Sequence, residues 1–400
     1  MALGAERLAE ILAEVADTRV DLKRRLRMEL AAQEGPGPLA VEIDKRLTAF
    51  ETSRGQITWR ARPAFIRDLD ALRDLIVTRL APLDTSAAIE RLWRFMDTAT
   101  QAARRYRDRN GEMEDVYAHV AADLGGLLDR AAPGPAAAAL VESLTRNVSG
   151  WKAWLPSLLA HAPRAIAEDG LRFMAERRGA VPGWITLIRA LADAAGDLEA
   201  FRATYSADAL KSPPIAVELA RRYLVADQVE AAGAILRAAA PTVGSRGKTP
   251  APDFDWESLW IDYLERAGRE EEAQAVRWAS FERTLSPDRA HAFVGRLGDF
   301  DDVEAEGQAF AVAAKAKDVE AGLGFLMGWP ALPEASRMIE ARREEIQLAP
   351  ETAELWAAKL RRRYPQAAHT LLRRAAAAAF RRCDFKSCDR LTAEAETIAP

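Results

Sequence analysis

Cysteine is almost missing from this chain, which holds only Cys383 and Cys388 in 400 residues. So few thiols exclude a disulfide-built scaffold and point to a reducing compartment. No stretch approaches the roughly 18 apolar residues of a membrane span. Glu6, Arg7, Glu10 and Glu14 break up the start, which offers no apolar segment of the kind a secretory signal needs. The expectation is a cytoplasmic protein without a membrane segment. Runs of alternating β-branched residues are also absent, and with them the signal for strands. Charge of one sign is scarce: the formal net charge is -4, which argues against a surface that coats nucleic acid everywhere. What remains is 49% hydrophobic and 29% charged residues, a balance that can bury a core.

Apolar residues recur at helical spacing from the outset. Leu8, Ile11, Leu12 and Val15 share one face, and Leu22, Leu26 and Leu30 form a second stripe after Asp17, whose carboxylate is expected to cap the new helix. Gly35-Pro36-Gly37-Pro38 stops that pattern. Further breaks stand at Pro133-Gly134-Pro135, Ser212-Pro213-Pro214, Ser286-Pro287-Asp288, Trp329-Pro330 and Ala349-Pro350, where proline suits the first helical turn. The segments between them are rich in Ala, Leu, Arg and Glu. The spacing predicts an all-α fold of stacked antiparallel helical hairpins, an α-solenoid that is tetratricopeptide-like in the middle. Three regions are expected: an N-terminal helical region over 1-132, tetratricopeptide-like repeats over 133-290, and a C-terminal helical region with a basic end over 291-400. A surface linker is expected from Pro241 to Asp253.

The repeat is visible on either side of that linker. Leu219 to Leu236 and Trp260 to Arg277 align at a constant offset, matching Ala226 with Ala267, Asp227 with Gly268, Ala232 with Ala273 and Ile235 with Val276. The pattern resembles the tetratricopeptide helix-turn-helix unit, in which small residues let two helices approach and Asp227 or Gly268 marks the turn. Such units stack and expose a groove. Arg222, Tyr223, Trp260 and Tyr263 are the candidate groove residues for an unidentified protein or peptide. Trp184 to Tyr205, Asp301 to Met327 and Leu355 to Cys383 are expected to be degenerate pairs of the same kind.

Several strings together carry a family resemblance. Leu3-Gly4-Ala5-Glu6-Arg7-Leu8-Ala9, Leu26-Arg27-Met28-Glu29-Leu30, Trp59-Arg60-Ala61-Arg62 and Arg277-Trp278-Ala279-Ser280-Phe281-Glu282-Arg283 resemble a bacterial family known as domain of unknown function 6880. Asp299-Phe300-Asp301-Asp302-Val303-Glu304-Ala305-Glu306 and Ala367-Ala368-His369-Thr370-Leu371-Leu372-Arg373 fit the same pattern, so the resemblance spans nearly the whole chain. It implies a long helical-repeat protein and brings no catalytic residues.

The residues that carry chemistry elsewhere are poorly arranged here. Gly247-Lys248-Thr249 ends like a phosphate loop, but Thr242 stands where the first glycine belongs and Pro250 blocks the helix that must follow. Gly322, Gly324 and Gly328 lie in a helical stretch with no strand before them. Asp115, His119 and Asp123 share one helical face, although solvated helix surface accounts for them equally well. Cys383 and Cys388 have a poor spacing for joint zinc ligation, and there is no Gly-x-Ser-x-Gly string. Hence no catalytic residue, metal or cofactor is expected, and the chain reads as a non-enzymatic scaffold for protein-protein interaction.

Arginine-rich segments give the alternative, nucleic-acid binding. Arg54, Trp59, Arg60, Arg62, Phe65 and Arg67 form one aromatic-bearing string, and Arg104, Arg105, Tyr106, Arg107 and Arg109 a second. From Lys359 to Arg390 ten basic residues, Arg363, Arg373 and Arg374 among them, face only Asp384 and Asp389. The candidate anion or nucleic-acid patch is Arg54, Trp59, Arg60, Arg62, Arg363, Arg373 and Arg374. The bland reading of all of these is a solvated surface with local ion pairs.

Overall fold

A computed structural model of the chain describes residues 4-175, 182-241, 250-298 and 300-398. Among them every regular element is helical, as the 3.6-residue periodicity demands. No helix is long and apolar enough to cross a membrane. The fold divides into two units, 1-206 and 207-400, so the division falls at neither of the breaks expected near 133 and 291. The reason is packing: one apolar core runs from Ala31 to Ala195, and another from Phe281 to Ile398, each continuous through the proline marks.

The first unit holds α1 (Ala5–Thr18), α2 (Val20–Glu34), α3 (Pro36–Thr52), α4 (Arg62–Leu75), α5 (Thr85–Asp97), α6 (Ala99–Arg105), α7 (Glu112–Leu127), α8 (Pro133–Arg146), α9 (Val148–Leu159), α10 (Arg164–Ala175), α11 (Trp184–Ala195) and α12 (Leu198–Arg202). Each helix packs on a near neighbour in sequence: α2 on α3, α3 on α5, α5 on α7, α7 on α9, α8 on α10. A Cβ at Gly125 would overlap the Leu158 carbonyl, so α7 and α9 approach as closely as glycine allows. Trp151, Trp154 and Trp184 are buried, and the buried Trp151 donates to Ser143 Oγ at 3.0 Å. Asp17 does not cap α2. The break falls at Arg19, and the Asp17 carboxylate accepts instead from Lys23 Nζ at 2.8 Å.

The second unit holds α13 (Pro213–Val225), α14 (Val229–Ala238), α15 (Phe254–Arg266), α16 (Glu270–Thr284), α17 (Pro287–Val294), α18 (Asp301–Ala314), α19 (Val319–Gly328), α20 (Leu332–Ala341), α21 (Pro350–Leu360), α22 (Pro365–Arg381) and α23 (Phe385–Glu396). The repeat pair is there: α13 packs on α14, α15 on α16, and α13 on α15. Both hairpins turn through the same geometry. Asp227 N–H donates to Leu224 O and Gln228 N–H to Tyr223 O, and Gly268 N–H likewise donates to Glu265 O and Arg269 N–H to Leu264 O. This is the Schellman pattern, in which the residue just past the helix, here Asp227 or Gly268, takes a left-handed backbone. The expected degenerate repeats also form packed pairs, α11 with α12, α18 with α19 and α21 with α22. Proline opens α8, α13, α17 and α21, whereas Trp329-Pro330 lies in the turn before α20. Most of the linker expected over 241-253, including Gly247-Lys248-Thr249, lies outside the described residues.

Candidate functional site

The groove expected from Arg222, Tyr223, Trp260 and Tyr263 is displaced around the helices. Tyr223 and Tyr263 are each only 2% exposed, so neither lines an open surface. Arg222 and Trp260 are half-buried. The cause is the small-residue face of α14. Gly233 admits the Tyr263 ring, which a Cβ there would overlap, and Arg237 donates to the Tyr263 hydroxyl at 2.8 Å. The same neighbour takes the Trp256 indole N–H on its Leu236 carbonyl at 3.1 Å. With the large rings drawn toward α14, α13 and α15 expose a different strip. Arg221, Val225, Asp255, Asp262 and Arg266 are exposed there, above buried Leu224 and Leu259, around a shallow cleft of about 170 Å³. Arg266 donates to the Leu224 carbonyl at 2.6 Å and so fixes one hairpin against the next.

The end of α15 also carries an ionic network, in which Arg277 is buried and Glu265 and Arg296 are partly exposed. Arg277, 3% exposed, meets Glu265 at 2.5 Å, and Arg296 reaches the same carboxylate at 2.6 Å. Burial alone would raise the Glu265 carboxyl, but the bonds from Arg296 and Arg277 overcome it and hold it below the ordinary carboxylate range. Arg289 is pulled down by its own burial. Its guanidinium donates to Ser280 and Ser258 and lies 4.3 Å from the Phe254 ring centroid. These contacts join α15, α16 and α17 into one body.

In the first unit the two arginine-aromatic strings meet. Ile57 N–H donates to the Arg105 carbonyl at 3.0 Å and Arg105 Nε to the Gly55 carbonyl at 2.9 Å. Gln56 reaches the Arg104 carbonyl and Gln101 the Ser53 carbonyl. Residues 53-57 are thereby laid along α6. Phe65 stacks on Tyr106 at 5.8 Å, Arg62 sits 5.4 Å from the Tyr106 ring and Arg105 sits 5.8 Å from the Phe65 ring. Arg54 and Arg60 are exposed, Arg62 is half-buried with its Nε lacking a partner, and Trp59 is 71% exposed. Burial, with Arg24 and Arg105 nearby, lowers the Arg46 guanidinium to about 10, leaving it charged at neutral pH.

The sequence profile of a family of unknown function (DUF6880) matches this chain over residues 1-181 and 174-388. The chain belongs to this family. No curated protein matches it. A solved structure of a circular tandem repeat protein with novel repeat topology and enhanced subunit contact surfaces is similar at 16% identity, covering 98% of this chain and 86% of that one, with a TM-score of 0.19. That score gives the likeness no bearing on the arrangement described above.

In this DUF6880 protein the C-terminal basic residues are less uniform than the sequence suggests. Arg363 and Arg373 are exposed, but Arg374 pairs with Glu344 at 2.8 Å and also donates to its carbonyl at 2.7 Å. Arg390 pairs with Glu354. These residues belong to the second unit, and Arg54, Trp59, Arg60 and Arg62 to the first. Asp123 is taken by Arg73 at 2.5 Å, which removes one oxygen from the Asp115, His119, Asp123 triplet. Among the described residues no group of three or more His, Cys, Asp or Glu is placed to hold a metal. A Cβ at Gly322 would overlap the Ala313 carbonyl, so that glycine serves the close packing of α19 on α18.

Proposed function

We propose that the chain is a non-enzymatic, cytoplasmic scaffold that binds a protein or peptide along the exposed face shared by α13 and α15. The single observation that carries this reading is the side-by-side placement of two hairpins of like turn geometry. It leaves Arg221, Val225, Asp262 and Arg266 in open solvent over an apolar floor. Val225 is 81% exposed in the middle of that strip, an apolar anchor flanked by charges of both signs. A peptide with an apolar side chain between a basic and an acidic residue suits it. The exposed thiol of Cys383 supports a reducing compartment.

The test is quantitative affinity capture from native extract with the full chain and with the double variant Arg221→Glu, Val225→Glu. Both positions are exposed, so helicity is expected to be unchanged. Loss of a reproducible partner from the variant supports the reading, and identical capture by both proteins contradicts it.

A further inference from the structure

We propose that residues 53-61, anchored on α6 through 53-57, form a binding site for single-stranded nucleic acid. This site belongs to the first unit and does not rest on the reading of the α13 and α15 face.

Three observations converge there. The first is an excess of positive charge. Arg54, Arg60, Arg62, Arg104, Arg105 and Arg107 make no ion pair among the described residues, and Arg67 and Arg109 beside them make none either. Two of the nearby acids are paired with other arginines, and two bond neutral donors and keep their charge. Glu51 holds Arg94, Asp68 holds Arg24 and Arg46, Asp108 accepts from the amides of Met113 and Glu114, and Glu112 accepts from the Tyr106 hydroxyl. Ordinary surface arginine is interleaved with carboxylates, as Arg91 and Arg94 are with Asp44 on the nearby α5. Asp108 and Glu112 stand within this patch, but its arginines outnumber them and make no close ion pair with them, so it keeps a positive excess toward a polyanion.

The second is an aromatic platform in the middle of the field. Arg60 lies 5.2 Å from the Trp59 ring centroid, and the indole remains 71% exposed. An indole so exposed loses little by accepting a flat apolar partner, and a nucleobase stacks on it without regard to sequence. A duplex keeps its base faces hidden, so the platform selects for single strands. The third is preorganisation. The segment carrying Arg54 and Trp59 has no regular structure of its own over much of its length, yet four hydrogen bonds tie residues 53-57, just before Trp59, to α6. Fixing the backbone next to the platform in advance lowers the ordering cost of binding. In this site the arginines hold the phosphates and Trp59 stacks one base.

The test is fluorescence anisotropy on the full chain at about 50 mM salt, with labelled oligothymidine and oligouridine of about 12 nucleotides and a duplex of the same length. The expected result is binding of single strands in preference to duplex. Trp59→Ala is expected to weaken single-strand affinity by roughly five- to hundredfold, the range for losing one stacked base, while far-ultraviolet circular dichroism stays unchanged. Arg60→Ala with Arg104→Ala should flatten the salt dependence by about 0.7 for each phosphate that is no longer neutralised. The two single-stranded probes report which sugar is preferred, and binding to either supports the site. No binding to any probe, preference for the duplex, or single-strand binding that Trp59→Ala leaves unaltered would overturn it.

Discussion

Asp227 and Gly268 occupy the same place in successive hairpins and take the same left-handed backbone, with φ of 59° and 72°. Each closes the Schellman turn of a helix whose partner returns alongside it. Aspartate tolerates this region better than most residues, and glycine enters it freely. The two sites should therefore respond unequally to exchange. Asp227→Gly is expected to change stability by no more than about 0.5 kcal/mol, because relief of strain is offset by unfolded-chain entropy. Gly268→Ala should cost about 1 kcal/mol or more. Urea unfolding of both variants checks the asymmetry.

Tyr263 fills the gap that Gly233 leaves in α14. Gly233→Leu should destabilise by about 3 kcal/mol, since the ring has no other site and the core is overpacked. Tyr263→Phe keeps the ring and removes the hydroxyl that accepts from Arg237, at a cost of about 1 kcal/mol. Thermal unfolding that ranks these two variants in the opposite order would show that the ring does not pack as described.

Glu265 balances Arg277, which is 3% exposed. Glu265→Gln leaves that guanidinium with too little countercharge and should cost about 3 kcal/mol at neutral pH. The folded carboxyl lies below its unfolded value, so its contribution is fully present above the unfolded pKa of about 4.3. That contribution is lost as pH falls through the folded value. Unfolding curves of the two proteins, well separated at pH 7, should converge in acid.

Arg266 reaches from α15 to the last turn of α13 and bonds the Leu224 carbonyl. Arg266→Ala should lower stability by about 1 kcal/mol and speed amide exchange at the end of α13. A variant with unchanged exchange there would show that this bond does not tie the hairpins.

Much of this architecture is legible in the sequence because it depends on local chemistry. Helical spacing sets the elements, and the alignment of Asp227 with Gly268 marks both turns. Two further turns of the same geometry carry no such mark. Gly196 and Cys383 also lie at left-handed φ, 64° and 60°, and the amides after them bond back to Ala192 and Ala379. Cysteine has no turn signal, and at Gly196 the partner helix is only five residues long.

Two of the four candidate groove residues are buried for a different reason. Spacing tells which residues of a helix share a face but not which neighbour that face meets. Tyr223 and Tyr263 lie on the side that α14 claims, and Arg221 and Val225, a fraction of a turn away, are the ones left in solvent. The basic site is half visible. Both arginine strings stand out in the sequence, but their meeting depends on backbone bonds between distant residues, such as Ile57 to Arg105.

Residue-resolved hydrogen exchange on the full chain addresses the paired hairpins most directly. The structure predicts slow exchange at Gln228 and Arg269, whose N–H groups bond back across the turn to Tyr223 and Leu264 at 2.8 Å each, with protected helices on both sides. Fast exchange at either amide, or protection running unbroken through residues 226-229 as in one continuous helix, would contradict it.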